Sequence, residues 1–101
     1  MVILTLNHNA NLDPSDMIDK YAIESAYAFF HQKQRVYQYS TLDWQKDDIE
    51  YAIDNYVSQM NEELYAVISS GRRDFLRNHS TFNEDIQLAI QTLDHMLAGM
   101  L

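Results

Sequence analysis

The stretch Ser40 to Met60, STLDWQKDDIEYAIDNYVSQM, has the clearest periodicity in the chain. Its apolar side chains recur at intervals of three and four residues, which is the spacing of one face of an α-helix. We therefore predict an amphipathic helix that buries one face and exposes the other. The predicted buried face consists of Ile49, Ala52, Ile53, Tyr56, Val57 and Met60, and the opposite face carries Trp44, Asp47, Asp48, Tyr51 and Asn55.

The sequence before this stretch predicts a long first helix. Asp13 is a good N-cap residue, and Pro14 fits the first helical position because its missing N–H would have no partner there. We expect this helix to continue to about Gln38. Its end, Val36 to Tyr39, should extend beyond its shorter neighbours and remain partly uncovered.

Helices are also predicted to start at Ser40 and at Asn61. Tyr39 and Trp44 have the spacing of a hydrophobic staple around a Ser40 cap. A single helix with a bend near residue 60 is the alternative to two separate ones. Gly71 is expected to end the third helix, because glycine favours the left-handed conformation found at helix C-termini. The side chains that this helix should bury are Leu64, Val67 and Ile68.

A Thr81–Glu84 pair has the spacing of a capping box and predicts the start of a fourth helix. The segment before it, Arg72 to Asn78, is expected to form a turn that holds Phe75 and Leu76 against the core. With only two glycines and one proline, the chain suits a few long elements. We therefore predict an all-α, single-domain bundle of about four helices over residues 13–101.

Residues 1–12 differ from the rest and are predicted to form a short extended N-terminal segment. Val2, Leu4 and Leu6 lie at alternate positions, as in a strand. One strand has no partner within an all-α chain. The segment is therefore expected either to pack on the helices or to pair with a second copy of the chain.

Composition excludes several classes of protein. The 101 residues include no cysteine, which rules out disulfides, thiolate metal ligands and a cysteine nucleophile. No segment approaches the ~18 consecutive apolar residues of a transmembrane helix. The N-terminus lacks the positive start and long apolar core of a signal peptide. We expect a cytoplasmic protein without a membrane segment.

The net charge of −8 disfavours direct binding to nucleic acid, whose phosphates would be repelled. Most of this charge lies in residues 41–66, which contain seven acidic residues and one basic residue. A protein partner with a basic surface is the kind of ligand that such a distribution favours.

Motifs for catalysis or cofactor binding are not found. No acidic residue lies three positions before His31, His79 or His95, so the Glu-x-x-His pattern of di-iron bundles is missing. There is no G-x-S-x-G motif and no P-loop. The Gly71-Arg72-Arg73 corner is interpreted as a surface turn rather than a phosphate site. We predict no enzyme activity and no catalytic, cofactor-binding or metal-binding residue.

An acidic ridge is the strongest charged feature of the predicted second helix. Asp47, Glu50 and Asp54 recur at helical spacing, and Asp43 lies one turn earlier. Such a ridge is most often a solvated face. It can also bind a basic partner, bind a cation or hold a carboxyl group with a raised pKa.

Two aromatic side chains, Trp44 and Tyr51, lie among these acids. Exposed aromatic rings often anchor protein interfaces. The alternative for Trp44 is the staple with Tyr39, which would pack the indole against the end of the first helix. The partner-binding residues predicted on this face are Trp44, Asp47, Asp48, Tyr51 and Asp54.

These observations favour a small non-enzymatic protein–protein interaction module, an adaptor or regulator that forms homo-oligomers. Self-association is expected at the uncovered end of the first helix. The alternative is an acidic inhibitor or nucleic-acid mimic, similar to immunity proteins, that blocks a basic site on a nucleic-acid enzyme. That alternative rests on size, helicity and charge alone.

Overall fold

A computed structural model describes residues 18–100 of the chain. This part contains four α-helices, a short 3-10 turn and no strand, so the predicted all-α bundle is confirmed. Helix α1 packs mainly against α4, while α2 packs on α1 and α3 packs on α4. The predicted extended segment, residues 1–12, lies outside the described residues. The elements are α1 (Lys20–Tyr39), α2 (Asp43–Ser58), α3 (Glu62–Ser69), the 3-10 turn (His79–Thr81) and α4 (Phe82–Gly99).

The apolar stripe of α2 faces the core as predicted. Ile49, Ile53 and Val57 are buried, and the remaining members of the stripe are partly buried. Tyr56 joins α2 to α1 through its ring, which stacks on Phe29 with a centroid distance of 3.9 Å. The side chains that solvent does not reach at all come from three helices and form one continuous core. They are Ile23, Ala26, Phe30, Ile53, Ile86, Ala89 and Leu93.

Helix α1 begins later than its sequence suggests. Asp19 is the N-cap, and its carboxylate accepts a hydrogen bond from the backbone N–H of Tyr21 at 3.1 Å. The predicted start at Asp13–Pro14 is therefore wrong, although those two residues themselves lie outside the described part. Asp13 and Asp19 are both suitable N-cap residues by type. The side chain of Ile18, immediately before the Asp19 cap, lies buried in the core. With 20 residues, α1 exceeds the 18-residue α4 by only two.

The connection between α1 and α2 also differs from the prediction. Ser40 ends α1, because its backbone is extended, and its hydroxyl donates to the carbonyl of Val36 at 2.7 Å. Helix α2 begins after Leu42. Leucine has no side-chain acceptor, so only the Gln45 side chain contributes to the cap by accepting from the Leu42 N–H. Trp44 is therefore the second residue of α2. The predicted staple is wrong, since Tyr39 and Trp44 are both largely exposed.

Helices α2 and α3 are separate, and the predicted cap of α3 is confirmed. The side chain of Asn61 accepts from the backbone N–H of Leu64 at 2.9 Å. Leu64 and Ile68 are buried, but the predicted burial of Val67 is wrong, because this eight-residue helix packs through one narrow edge. The helix ends where the backbone becomes left-handed, at Ser70 and at the predicted terminator Gly71.

The segment between α3 and the 3-10 turn buries Phe75 and Leu76, as predicted. It is held by Asp85 of α4, whose buried carboxylate accepts from the Leu76 N–H at 2.9 Å and from the Arg72 guanidinium at 2.8 and 3.0 Å. Thr81 is the N-cap of α4, but its hydroxyl donates to Asp85 instead of capping the helix. The predicted capping box is therefore wrong. Arg72, a member of the predicted surface corner, is bound within the chain.

Across residues 18–100, every helix is too short or too polar to serve as a membrane span.

Candidate functional site

The outer face of α2 is an exposed surface that combines aromatic and acidic side chains. Trp44 and Tyr51 are 61% and 74% exposed, respectively. Asp47 and Asp48 are also exposed, and within residues 18–100 neither carboxylate forms an ion pair. At 100° per residue these four positions lie opposite the buried stripe. We call Trp44, Asp47, Asp48 and Tyr51 the aromatic–acidic face.

Exposed apolar side chains also occur at the α1–α2 connection. Val36, Tyr39 and Leu42 are all exposed, and Trp44 follows two residues later. A groove of about 380 Å³ runs between the end of α1 and the start of α2, with Val36 and Tyr39 in its wall. We call Val36, Tyr39 and Leu42 the corner patch. Exposed apolar side chains grouped at one connection often mark a binding surface.

Asp54, the fifth predicted partner-binding residue, has a different environment. It is exposed, but its carboxylate forms an ion pair with the Arg77 guanidinium at 3.0 Å. The acidic ridge thus borders the segment that precedes the 3-10 turn, and part of its charge is neutralised within the chain. Asp54 is therefore a weaker candidate for partner binding than the other four residues.

The Glu50 carboxylate is likewise not free in solvent like the exposed acids of the ridge. Its side chain is largely buried and accepts a hydrogen bond from the phenol of Tyr37 at 2.8 Å. Its carboxylate also contacts Nδ1 of His79, at 2.8 Å for the nearer oxygen. Burial, followed by this hydrogen bond and the negative charges of Glu50 and Asp47, raises the pKa of Tyr37 well above its usual range. The phenol therefore stays protonated and donates to Glu50.

The His79 imidazole is exposed and borders a polar cleft. The hydrogen bond with Glu50, and then the charge of that carboxylate, raises the pKa of His79, and more distant Asp47 and Asp43 act in the same direction. The cleft has a volume of about 350 Å³. Its lining is mostly polar and includes Tyr37, Asp43, Lys46, Asp47, His79, Ser80 and Asn83.

Asp47, Glu50 and His79 converge beside this cleft. One potential ligand atom from each residue lies within 4.8 Å of the other two. Sequence reasoning identified the Asp47–Glu50 spacing on α2 but missed His79, which is 29 residues from Glu50. In the sequence, the only indication of a role for His79 was its position next to a predicted helix start. His31 and His95 are exposed and do not belong to this cluster.

No protein-family model, curated protein or solved structure matches this chain.

Proposed function

We propose that this chain is a non-enzymatic protein–protein interaction module that binds a partner with a basic surface through the aromatic–acidic face of α2. The exposure of Trp44 and Tyr51 beside two carboxylates without ion-pair partners in residues 18–100 is the observation that supports it most strongly. Aromatic rings are common anchors of interfaces, and uncompensated acids steer a basic partner toward them.

The size of the aromatic contribution indicates how large the interface must be. A fully buried Tyr or Trp covers about 150–250 Å², so the exposed fractions here leave on the order of 100–150 Å² per ring to bury. At about 25 cal/mol per Å² the two rings contribute roughly 5–7 kcal/mol together. Association itself costs about 4–15 kcal/mol. The interface must therefore include further contacts beyond the two rings.

Charge determines which surface suits which partner. In a two-fold symmetric dimer the same patch contacts itself, which would bring Asp47 and Asp48 near their own copies. Like charges in contact oppose binding. The aromatic–acidic face therefore suits a basic partner, whereas self-association is better served by the corner patch, whose three exposed side chains are apolar.

A photo-crosslinking amino acid at position 51 tests the partner-binding proposal. The control places the same group at position 88, because Leu88 is also an exposed side chain but lies on α4. We expect basic proteins from the native host to crosslink at position 51 and not at position 88. Purified partners should then bind the Leu88→Ala variant normally and the Trp44→Ala/Tyr51→Ala variant at least tenfold more weakly. Equal binding by both variants would refute the proposal.

Sedimentation velocity tests self-association separately. Val36→Asp and Leu88→Asp form a matched pair, since the two side chains are 51% and 48% exposed. The wild type and Leu88→Asp should show a sedimentation coefficient that increases with concentration, and Val36→Asp should remain monomeric. A wild-type protein that stays monomeric at the highest concentration measured contradicts self-association but leaves the basic partner unaffected.

A nucleic-acid mimic is the second candidate, favoured by the exposure of Asp43, Asp47 and Asp48 within two turns of α2. The contacts of Glu50 with His79 and of Asp54 with Arg77 shorten the row of available charges. A mimic should lose affinity steeply with added salt, and Asp47→Lys/Asp48→Lys should abolish its binding. An adaptor anchored by aromatic rings should tolerate salt better and lose more affinity from Tyr51→Ala.

A further inference from the structure

We propose that Asp47, Glu50 and His79 form a binding site for a divalent transition-metal ion of the Zn²⁺ type. Their potential ligand atoms already lie within 4.8 Å of one another. The ligand atoms of a tetrahedral zinc ion, each ~2.0–2.2 Å from the metal, lie about 3.3–3.6 Å apart. The 2.8 Å contact between Glu50 and His79 must therefore open and the Asp47 carboxylate must move closer, each by up to about 1 Å, to place all three around one ion.

The three residues are presented by two ordered elements. Asp47 and Glu50 are three positions apart on α2, so their side chains point to the same side of the helix. His79 begins the 3-10 turn, which is fixed at its start by the Asn78 side chain accepting from the Ser80 N–H at 3.0 Å. The site does not depend on a carboxylate cluster alone, since an imidazole from a distant part of the chain completes it.

Glu50 also has a partner of the kind found around metal ligands. The phenol of Tyr37 donates to Glu50 Oε2 at 2.8 Å, and the Tyr37 side chain is itself buried between α1 and α4, where its ring lies 4.9 Å from that of Phe82. Hydrogen bonds of this type fix the orientation of a metal-binding carboxylate. One of the two Glu50 oxygens is thus oriented before any ion binds.

The donor set indicates the class of ion. One imidazole nitrogen with two carboxylates suits Zn²⁺ and related transition metals, whereas Ca²⁺ and Mg²⁺ prefer oxygen ligands throughout. His79 and Asp47 are exposed to the cleft, so water can complete the coordination. Lys46 lines the same cleft, and its positive charge opposes the binding of a cation.

Titration calorimetry of the full chain with Zn²⁺ tests the site. We expect one saturable site in the wild type and a loss of affinity of at least about tenfold in His79→Ala and in Asp47→Asn. His95→Ala and Asp48→Asn are the matched controls, because they remove a histidine and an α2 carboxylate outside the cluster; both should bind like the wild type. Lys46→Gln should bind Zn²⁺ more tightly.

A measurement on the wild type covers the case in which a variant does not fold. Added Zn²⁺ should shift the NMR signals of the His79 ring nitrogens and leave those of His31 and His95 unchanged. The proposal is overturned if Zn²⁺ does not bind, if a folded His79→Ala variant binds it with wild-type affinity, or if the affected ring belongs to another histidine.

Discussion

Replacing Asp85 with alanine should destabilise the fold more than any surface substitution in this chain. The Asp85 carboxylate is 1% exposed and joins α4 to the segment that follows α3. It accepts hydrogen bonds from the backbone N–H of Leu76, from the Thr81 hydroxyl and from both terminal nitrogens of Arg72. Leu76 itself has a positive φ of 65°, which is unfavourable for a leucine. The hydrogen bond to Asp85 therefore holds a backbone conformation that the sequence does not favour locally.

The expected loss of stability depends on whether each hydrogen-bond partner of Asp85 can find another partner after the substitution. The Leu76 N–H is buried and has no other acceptor among its described hydrogen bonds, so leaving it unpaired costs about 1–3 kcal/mol. Arg72 and Thr81 are partly exposed and can bind water instead. Including the lost charge-assisted hydrogen bonds, we expect Asp85→Ala to lower the free energy of unfolding by about 2–4 kcal/mol.

Urea unfolding followed by circular dichroism measures this loss directly, and thermal unfolding should show a Tm about 10–25 °C lower. Asp85→Asn should be milder, because one carbonyl oxygen can still accept from the Leu76 N–H. Arg73→Ala is the control, since Arg73 is exposed on the same segment; it should change stability by less than about 0.5 kcal/mol. A loss below about 1 kcal/mol for Asp85→Ala would show that the Leu76 N–H finds another partner and that our reasoning is wrong.

Two further predictions concern the glycines and pH. Gly71 has a φ of +82° with open space around its Cα, so Gly71→Ala should cost about 1 kcal/mol through backbone strain alone. Gly99 lies in the last turn of α4, and Gly99→Ala should stabilise the fold by up to about 1 kcal/mol. Urea unfolding of both variants checks this prediction, and a change in the free energy of unfolding with the same sign for both would contradict it. The hydrogen bond with Glu50 raises the pKa of His79, and the charges of Asp47 and Asp43 act in the same direction. The stabilising effect of the His79–Glu50 pair is therefore complete below the ordinary histidine pKa of 6.5, and it is lost as pH rises through the higher pKa of the folded state. In a buffer with EDTA, the difference in Tm between the wild type and His79→Gln should shrink from pH 6 to pH 9. A Tm difference that stays constant would show that it does not come from the His79–Glu50 pair.

The helical character of the chain was predictable because it depends on local spacing. The α2 stripe of Ile49, Ile53 and Val57 is buried as its period predicts, and Asn61 caps α3 as its position predicts. Helix boundaries were less predictable where several residues compete for one role. Asp13 and Asp19 are both suitable caps for α1, and Ser40 resembles a start although it ends the preceding helix.

The exposure of the outer face of α2 also follows from helical period, and with it the exposure of Trp44, Asp47, Asp48 and Tyr51. Whether Trp44 packs back on α1 did not follow from the sequence, because its staple depended on a helix start that was placed two residues too early. The structure exposes the indole, which strengthens it as a candidate for partner binding.

By itself the sequence determined that this protein is an acidic, all-α bundle, and it identified which face of α2 is polar. Only the tertiary structure decided which acids remain free. Glu50 contacts His79 and Asp54 contacts Arg77 because packing places the segment before α4 beside the flank of α2. Such contacts join residues more than twenty positions apart, and they depend on the relative rotation of packed elements. Local periodicity contains no information about that rotation, so the proposed metal site at Asp47, Glu50 and His79 became visible only in the folded chain.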